Sequence, residues 1–159
     1  MTSVMFVCLG NICRSPAGEG ILRYMAEKVH LDINVRSCGM GDWHIGHFPD
    51  ERMRDATNAR GITLSSRAQQ FNPRFFQEFD YILAADKEVL KDLYLFAKTP
   101  EDKAKIHMMT AFSPSYKDEE IPDPYFQGEG AFNLVLDMLE DSCEGLIEEI
   151  RKKRQHSLY

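Results

Sequence analysis

No stretch of this 159-residue chain approaches the roughly 20 apolar residues that cross a bilayer as a helix, so membrane insertion is not expected. The first apolar run, residues 4–9, is short and no basic segment precedes it, so it does not read as an export signal. Cysteine is sparse. Cys8, Cys13, Cys38 and Cys143 are too few for the disulfide framework of a secreted protein of this length. A reducing cytoplasm is the expected location, with export by a leaderless route left open. Positive charge is also in deficit, and the net charge of −6 argues against a general affinity for nucleic acid. A local anion site remains possible, because it needs only an arginine and oriented backbone N–H groups. Repeats, linkers and low-complexity tracts are missing, and the length suits a single domain over residues 1–159.

What is present alternates in character. Residues 4–8 (V-M-F-V-C) form a nearly continuous apolar run, as expected of a strand buried on both faces of a parallel sheet. Ser15 followed by Pro16 predicts a helix start, with Ser15 as cap and Ile21, Leu22, Met25 and Val29 at helical spacing. Residues 33–37 predict a second strand and residues 39–49 a loop. A helix over residues 51–60 is predicted to close at Gly61. Residues 79–84 predict a third strand, Asp86 caps a helix reaching residue 95, and residues 105–109 predict a short fourth strand. Residues 113–130, with three prolines, read as a long surface loop. Phe132, Val135, Leu136, Leu139, Cys143, Leu146, Ile147 and Ile150 make one apolar stripe on a last helix, with basic residues 151–154 at its end. This alternation predicts an α/β three-layer sandwich: a four-stranded parallel sheet with helices on both faces. Ligands of such sheets bind beyond the C-terminal ends of the strands.

The first such place holds Cys8-Leu9-Gly10-Asn11-Ile12-Cys13-Arg14-Ser15. Five residues separate Cys8 from Arg14, enough backbone to wrap one tetrahedral dianion with inward N–H groups. Gly10 and Asn11 tolerate left-handed backbone, the following helix adds its positive end, and Arg14 can grip two phosphate oxygens. These surroundings favour Cys8 as a thiolate, the form that attacks phosphorus. Ser15 is placed to donate to the Cys8 sulfur. Cys13 either packs under the loop or traps Cys8 as a disulfide under oxidation. A zinc site is not expected, since no Cys/His pair at ligand spacing completes it. Asp123-Pro124 alone would be a turn, and Trp43 could be core or site, its glycine-flanked loop favouring the site.

V-C-L-G-N-I-C-R-S-P together with the later Asp123-Pro124-Tyr125 resembles the low-molecular-weight protein tyrosine phosphatases. The G-D-W-H-I-G loop, the S-R-A-Q-Q stretch and F-D-Y-I-L-A-A-D extend the resemblance over nearly the whole chain. The resemblance implies a four-stranded parallel sheet, no metal or other cofactor, and a phosphotyrosine protein or peptide as substrate of a monomer or weak dimer. It implies Cys8 as nucleophile, Arg14 as phosphate clamp and Asp123 as the acid that protonates the leaving phenolate and then activates water. It implies that Asn11 and Ser15 hold loop and thiolate, and that Leu9, Trp43 and Tyr125 wall the pocket around a flat ring. Four departures stand out. Ser66 replaces a histidine that often supports the loop asparagine, Phe126 replaces a second tyrosine, and Ala85 and Val89 replace methionine and asparagine.

Three other readings fare worse. Arsenate reduction on this fold needs a cysteine relay, and residues 39–142 contain no cysteine. The protein-arginine phosphatases carry threonine where Ile12 stands. A phosphotyrosine-binding module with a dead site requires loss of Cys8, Arg14 or Asp123, and all three are present. His44, His47 and the acidic residues 118–120 are expected at the site's rim, where they are either selective or merely solvated. The sequence leaves open whether Tyr159 is regulatory.

Overall fold

The computed structural model describes residues 1–157, so Tyr159 lies outside the described residues. The chain runs β1 (Thr2–Cys8), α1 (Arg14–Lys28), β2 (Ile33–Gly39), α2 (Glu51–Asn58), α3 (Phe75–Glu78), β3 (Tyr81–Ala84), α4 (Lys87–Phe96), α5 (Pro100–Ala104), β4 (Ile106–Met108) and α6 (Glu129–Ser157). The four strands form one parallel sheet in the order β2-β1-β3-β4. β1 is therefore interior, which is why its sequence is apolar without alternation. Its side chains still divide by face. Val4, Phe6 and Cys8 join a core with α1 and α6, while Met5 and Val7 join a second core with Phe75, Phe76, Val89 and Leu93. The apolar stripe of α6 is buried as its spacing requires.

Several local expectations need correction. α1 begins at Arg14 with Cys13 at the cap position and no side-chain cap, so Ser15 is not its cap. The Ser15 hydroxyl is turned instead towards Cys8 and Asn11. α2 ends at Asn58, and Gly61 (φ +82°) carries the left-handed turn after it. β3 begins at Tyr81 because the Phe79 N–H still closes α3 onto Phe75. The short helices α3 and α5 were not legible as patterns, being four and five residues long. Asp86 does cap α4, accepting from the Val89 N–H at 2.9 Å.

Candidate active site

The register places the ends of β1 and β2 together, with Cys8 opposite Gly39. The loop leaving β1 is laid against the chain leaving β2: the Met40 and Gly41 N–H groups donate to the carbonyls of Cys8 (3.0 Å) and Leu9 (2.9 Å). A Cβ on Gly39 would stand 2.9 Å from the Leu9 oxygen, so only glycine permits this approach. Within the loop, Asn11 alone takes the left-handed backbone (φ +57°). Gly10 does not, contrary to expectation. It leaves room beside His44, whose ring carbon a Cβ would meet at 3.2 Å.

The turn at Asn11 aims its N–H at the Cys8 sulfur, 3.3 Å away, and the Ser15 oxygen lies 2.9 Å from the same sulfur. The Asn11 amide has three partners. Its oxygen accepts from the Gln69 N–H (2.9 Å), and its nitrogen donates to Ser15 (2.7 Å) and Ser37 (3.1 Å). Ser37 in turn donates to Glu19 (2.6 Å), which pairs with Arg23 (2.7 Å).

Arg14 is 3% exposed. Its Nη1 donates to Asp86 at 2.7 Å and to the Ile121 carbonyl at 2.9 Å, while Nη2 lies 3.7 Å from an Asp123 oxygen. Burial opposes the guanidinium's charge, but Cys8, Asp86 and Asp123 outweigh it and raise its pKa. Cys13 is the opposite case. Burial first, then Asp50, Cys8 and Asp123, push its thiol up, so it stays protonated beneath the loop. Cys38 is pushed up by burial and by Cys8. All four cysteines are free.

One pocket gathers Cys8, Leu9, Gly10, Ile12, Cys13, Arg14, Trp43, His44, Asp123, Tyr125 and Phe126. Buried Cys8, Cys13 and Arg14 form its floor. Leu9, Trp43 and Tyr125 are partly exposed around it, as walls would be. Tyr125 is backed by the Arg52 guanidinium, 5.2 Å from its ring centroid, and meets Phe126 edge-on at 4.8 Å. The acidic residues 118–120 do not line the pocket. The Glu120 carboxylate accepts from the Lys87 N–H (3.0 Å) and the Glu119 carbonyl from Thr110 (2.6 Å), so both serve to anchor the loop. His47 lies against His44 with the rings tilted (centroids 5.6 Å apart) and does not line the pocket. Ser66 is half-buried in a separate cleft with Glu19, Arg23 and Ser37. Ala85 and Val89 are buried. Among the described residues, no group of three or more His, Cys, Asp or Glu side chains could hold a metal, and no helix is long and apolar enough to cross a membrane.

Sequence reasoning missed Asp86 beyond its capping role, and missed Ser37, Glu19 and Gln69 altogether. Signals existed for two of them. Asp86 follows the C-terminal end of a strand, where parallel sheets place ligands. Ser37 is a polar residue inside a strand.

A four-stranded parallel sheet whose first strand ends at a buried cysteine, in a tight loop that leads into the first helix, defines an α/β class of protein. The family model for low molecular weight phosphotyrosine protein phosphatase matches residues 3–156, and the chain belongs to that family. It is 37% identical to a putative low molecular weight protein-tyrosine-phosphatase of Synechocystis over 152 residues, covering 94% of this chain and 97% of that one. The crystal structure of the Entamoeba histolytica protein tyrosine phosphatase superposes with a TM-score of 0.92 at 36% identity, covering 97% and 99% of the two chains. A Drosophila arginine phosphatase structure is also similar, with a TM-score of 0.87 at 34% identity, covering 94% and 98%.

Proposed function

We propose that the enzyme hydrolyses phosphotyrosine in proteins or peptides through a phosphocysteine intermediate. The observation that carries this reading is the Cys8 sulfur at the pocket floor, met by the Ser15 hydroxyl at 2.9 Å and the Asn11 N–H at 3.3 Å. Arg14 uses both Nη1 hydrogens on Asp86 and Ile121, which leaves the Nε–Nη2 edge for two phosphate oxygens. The Cys8 thiolate attacks phosphorus while the bond to the phenol oxygen breaks. Asp123, as the carboxylic acid, gives that oxygen its proton. Asp123, now a carboxylate, then takes a proton from water as the water oxygen attacks phosphorus. The P–S bond breaks, releasing phosphate and the thiolate. The nest and Arg14 hold the transferring charge in both steps.

Leu9, Trp43 and Tyr125 suit a flat phenyl ring whose phosphate reaches the floor, a depth that a shorter phosphoserine would not span. The mechanism needs a free thiol and so suits a reducing compartment.

The test is turnover of p-nitrophenyl phosphate, phosphotyrosine, phosphoserine and phosphoarginine substrates, with and without thiol reductant and with no added metal. Fast hydrolysis of the two aryl esters alone is expected. A Cys8→Ser variant should bind phosphotyrosine peptide without turning it over. Preferential hydrolysis of phosphoarginine would move the chain to the chemistry of its Drosophila relative, and turnover by Cys8→Ser would remove the nucleophile.

A further inference from the structure

β2 is an edge strand, and its outer side is closed only in part. Residues 65–71 run beside its C-terminal end, where the Gly39 N–H donates to the Gln69 carbonyl and the Gly39 carbonyl accepts from the Phe71 N–H, both at 2.8 Å. Beside that bridge a cleft opens between β2, α1 and the segment, and it shares no residue with the pocket over Cys8. Its walls carry Arg23, Arg36, Arg67, Ser65 and Ser66, with Glu19 as their single carboxylate. We propose that this cleft is a second anion site, one that takes a phosphate group.

The case rests on guanidinium groups brought together without matching negative charge. Arg23 and Arg36 both donate to one acceptor, the Val35 carbonyl, at 2.7 Å and 2.8 Å. Two cations that share one oxygen repel each other. Only Arg23 has a carboxylate, Glu19 at 2.7 Å, and the other Glu19 oxygen is already engaged by the Ser37 hydroxyl. Arg36 and Arg67 are exposed, and neither pairs with an acidic side chain among the described residues. The Arg67 guanidinium lies 4.2 Å from the Phe48 ring centroid and reaches the Gly46 carbonyl only at 3.5 Å. The Ser65 and Ser66 hydroxyls have no hydrogen-bond partner among the described residues. A tetrahedral dianion meets all of these needs: guanidinium forks grip its oxygens in pairs, and the hydroxyls donate to what remains. In a chain of net charge −6, three guanidinium groups against one carboxylate run counter to the general trend. The bland alternative is a solvated basic patch that only discourages another strand from pairing with the sheet edge.

At about 610 Å³ the cleft has room for a phosphate attached to an organic group as well as for the bare ion. Arg67 stacks on Phe48, which belongs to the same loop as Trp43, so a peptide held over Cys8 could bring a second phosphate here. Free phosphate and a substrate-borne phosphate share the same chemistry.

The test is an amide NMR titration of the full chain with inorganic phosphate at constant ionic strength, with sodium chloride as the matched control. The N–H signals of Ser65, Ser66 and Arg67 should move along a saturating curve whose midpoint differs from that of residues 9–15. Arg36→Ala and Arg67→Ala should each raise the first midpoint about tenfold, the scale of a lost charge-assisted hydrogen bond, and leave the second where it was. One midpoint shared by both sets and untouched by either variant would overturn the proposal, since the loop after β1 would then bind alone. So would shifts that do not saturate, or that chloride reproduces. None of this requires turnover, so the result stands whether or not Cys8 is the nucleophile. A second arm, which rests on the proposed hydrolysis, separates the two sources. Phosphotyrosine peptides with an added phosphoserine at a series of spacings are compared with the parent peptide. A phosphate brought by the substrate should lower KM about tenfold at one spacing with kcat unchanged, and Arg36→Ala should erase that gain. Equal KM at every spacing, beside a separate midpoint for inorganic phosphate, would assign the site to the free anion.

Discussion

Two loops meet at the pocket, and they are built differently. The loop of residues 8–15 is buried at Cys8, Asn11, Cys13, Arg14 and Ser15, and the Asn11 side chain has three partners. The loop carrying Asp123 is pinned at residues 119–121. Ile121 is fully buried, its N–H donates to the Ala85 carbonyl at 2.9 Å, and its carbonyl accepts from Arg14. Past that pin Pro124 is still buried, but Asp123 is 45% exposed and Phe126 93%. Charge that develops on a transferring phosphoryl group has the same shape for every substrate, so its donors profit from rigidity. On the proposed mechanism a leaving group would be attached to varied peptide, and the loop that would face it is the more exposed of the two.

Removing the proposed acid should give the largest effect that separates the two loops. Asp123→Asn is expected to slow aryl phosphates with poor leaving groups by about 10²–10⁴-fold and those with good leaving groups far less. Equal losses across a leaving-group series would make Asp123 structural and erase the division of labour. A smaller effect tests the rigid side. Asn11→Gly and Asn11→Ala both remove the amide network, and both should lower kcat. Only alanine must also bear the left-handed backbone, at a cost of about 1–2 kcal/mol. Urea unfolding should therefore rank Asn11→Ala below Asn11→Gly by roughly that amount. Equal stabilities would mean that the loop relaxes, and its rigidity would have been overstated.

The smallest effect concerns the seam behind the pocket. Asp50 caps α2 through the Arg52 N–H (2.8 Å), and its backbone N–H donates to the Ile12 carbonyl (2.8 Å). Burial works against its charge, but hydrogen bonds from Arg52 outweigh it and hold the carboxyl below its ordinary value. A carboxyl depressed on folding adds stability above its ordinary value, and that stability is lost as pH falls through the folded value. Asp50→Ala should cost about 1 kcal/mol near neutrality, with the deficit shrinking on acidification. A deficit that is constant with pH would show that the lost contribution is packing rather than charge.

Much of the loop after β1 was legible because its information is local. A strand, five residues of turn and a helix start follow one another, and the cap at Asp86 and the stripe of α6 are equally short-range patterns. The misreadings are also local in origin. Ser15-Pro16 looks like a helix start by propensity, but a buried hydroxyl 2.9 Å from Cys8 and 2.7 Å from Asn11 has better partners than a helix end. The acidic residues 118–120 look like a rim because charge in a loop gives no direction. In the structure they hold the loop from behind.

By itself the sequence determined the alternating strands and helices and the tight loop from Cys8 to Ser15 between the first strand and the first helix. The tertiary structure decided the partnerships. Arg14 meets Asp86 across 72 residues of chain and Ile121 across 107, and Asn11 meets Ser37 across 26 and Gln69 across 58. Those meetings follow from the strand order β2-β1-β3-β4, which brings the ends of β1, β2 and β3 to one edge. Propensity and periodicity act over a few residues, whereas that edge is assembled by burying two apolar cores on opposite faces of the sheet.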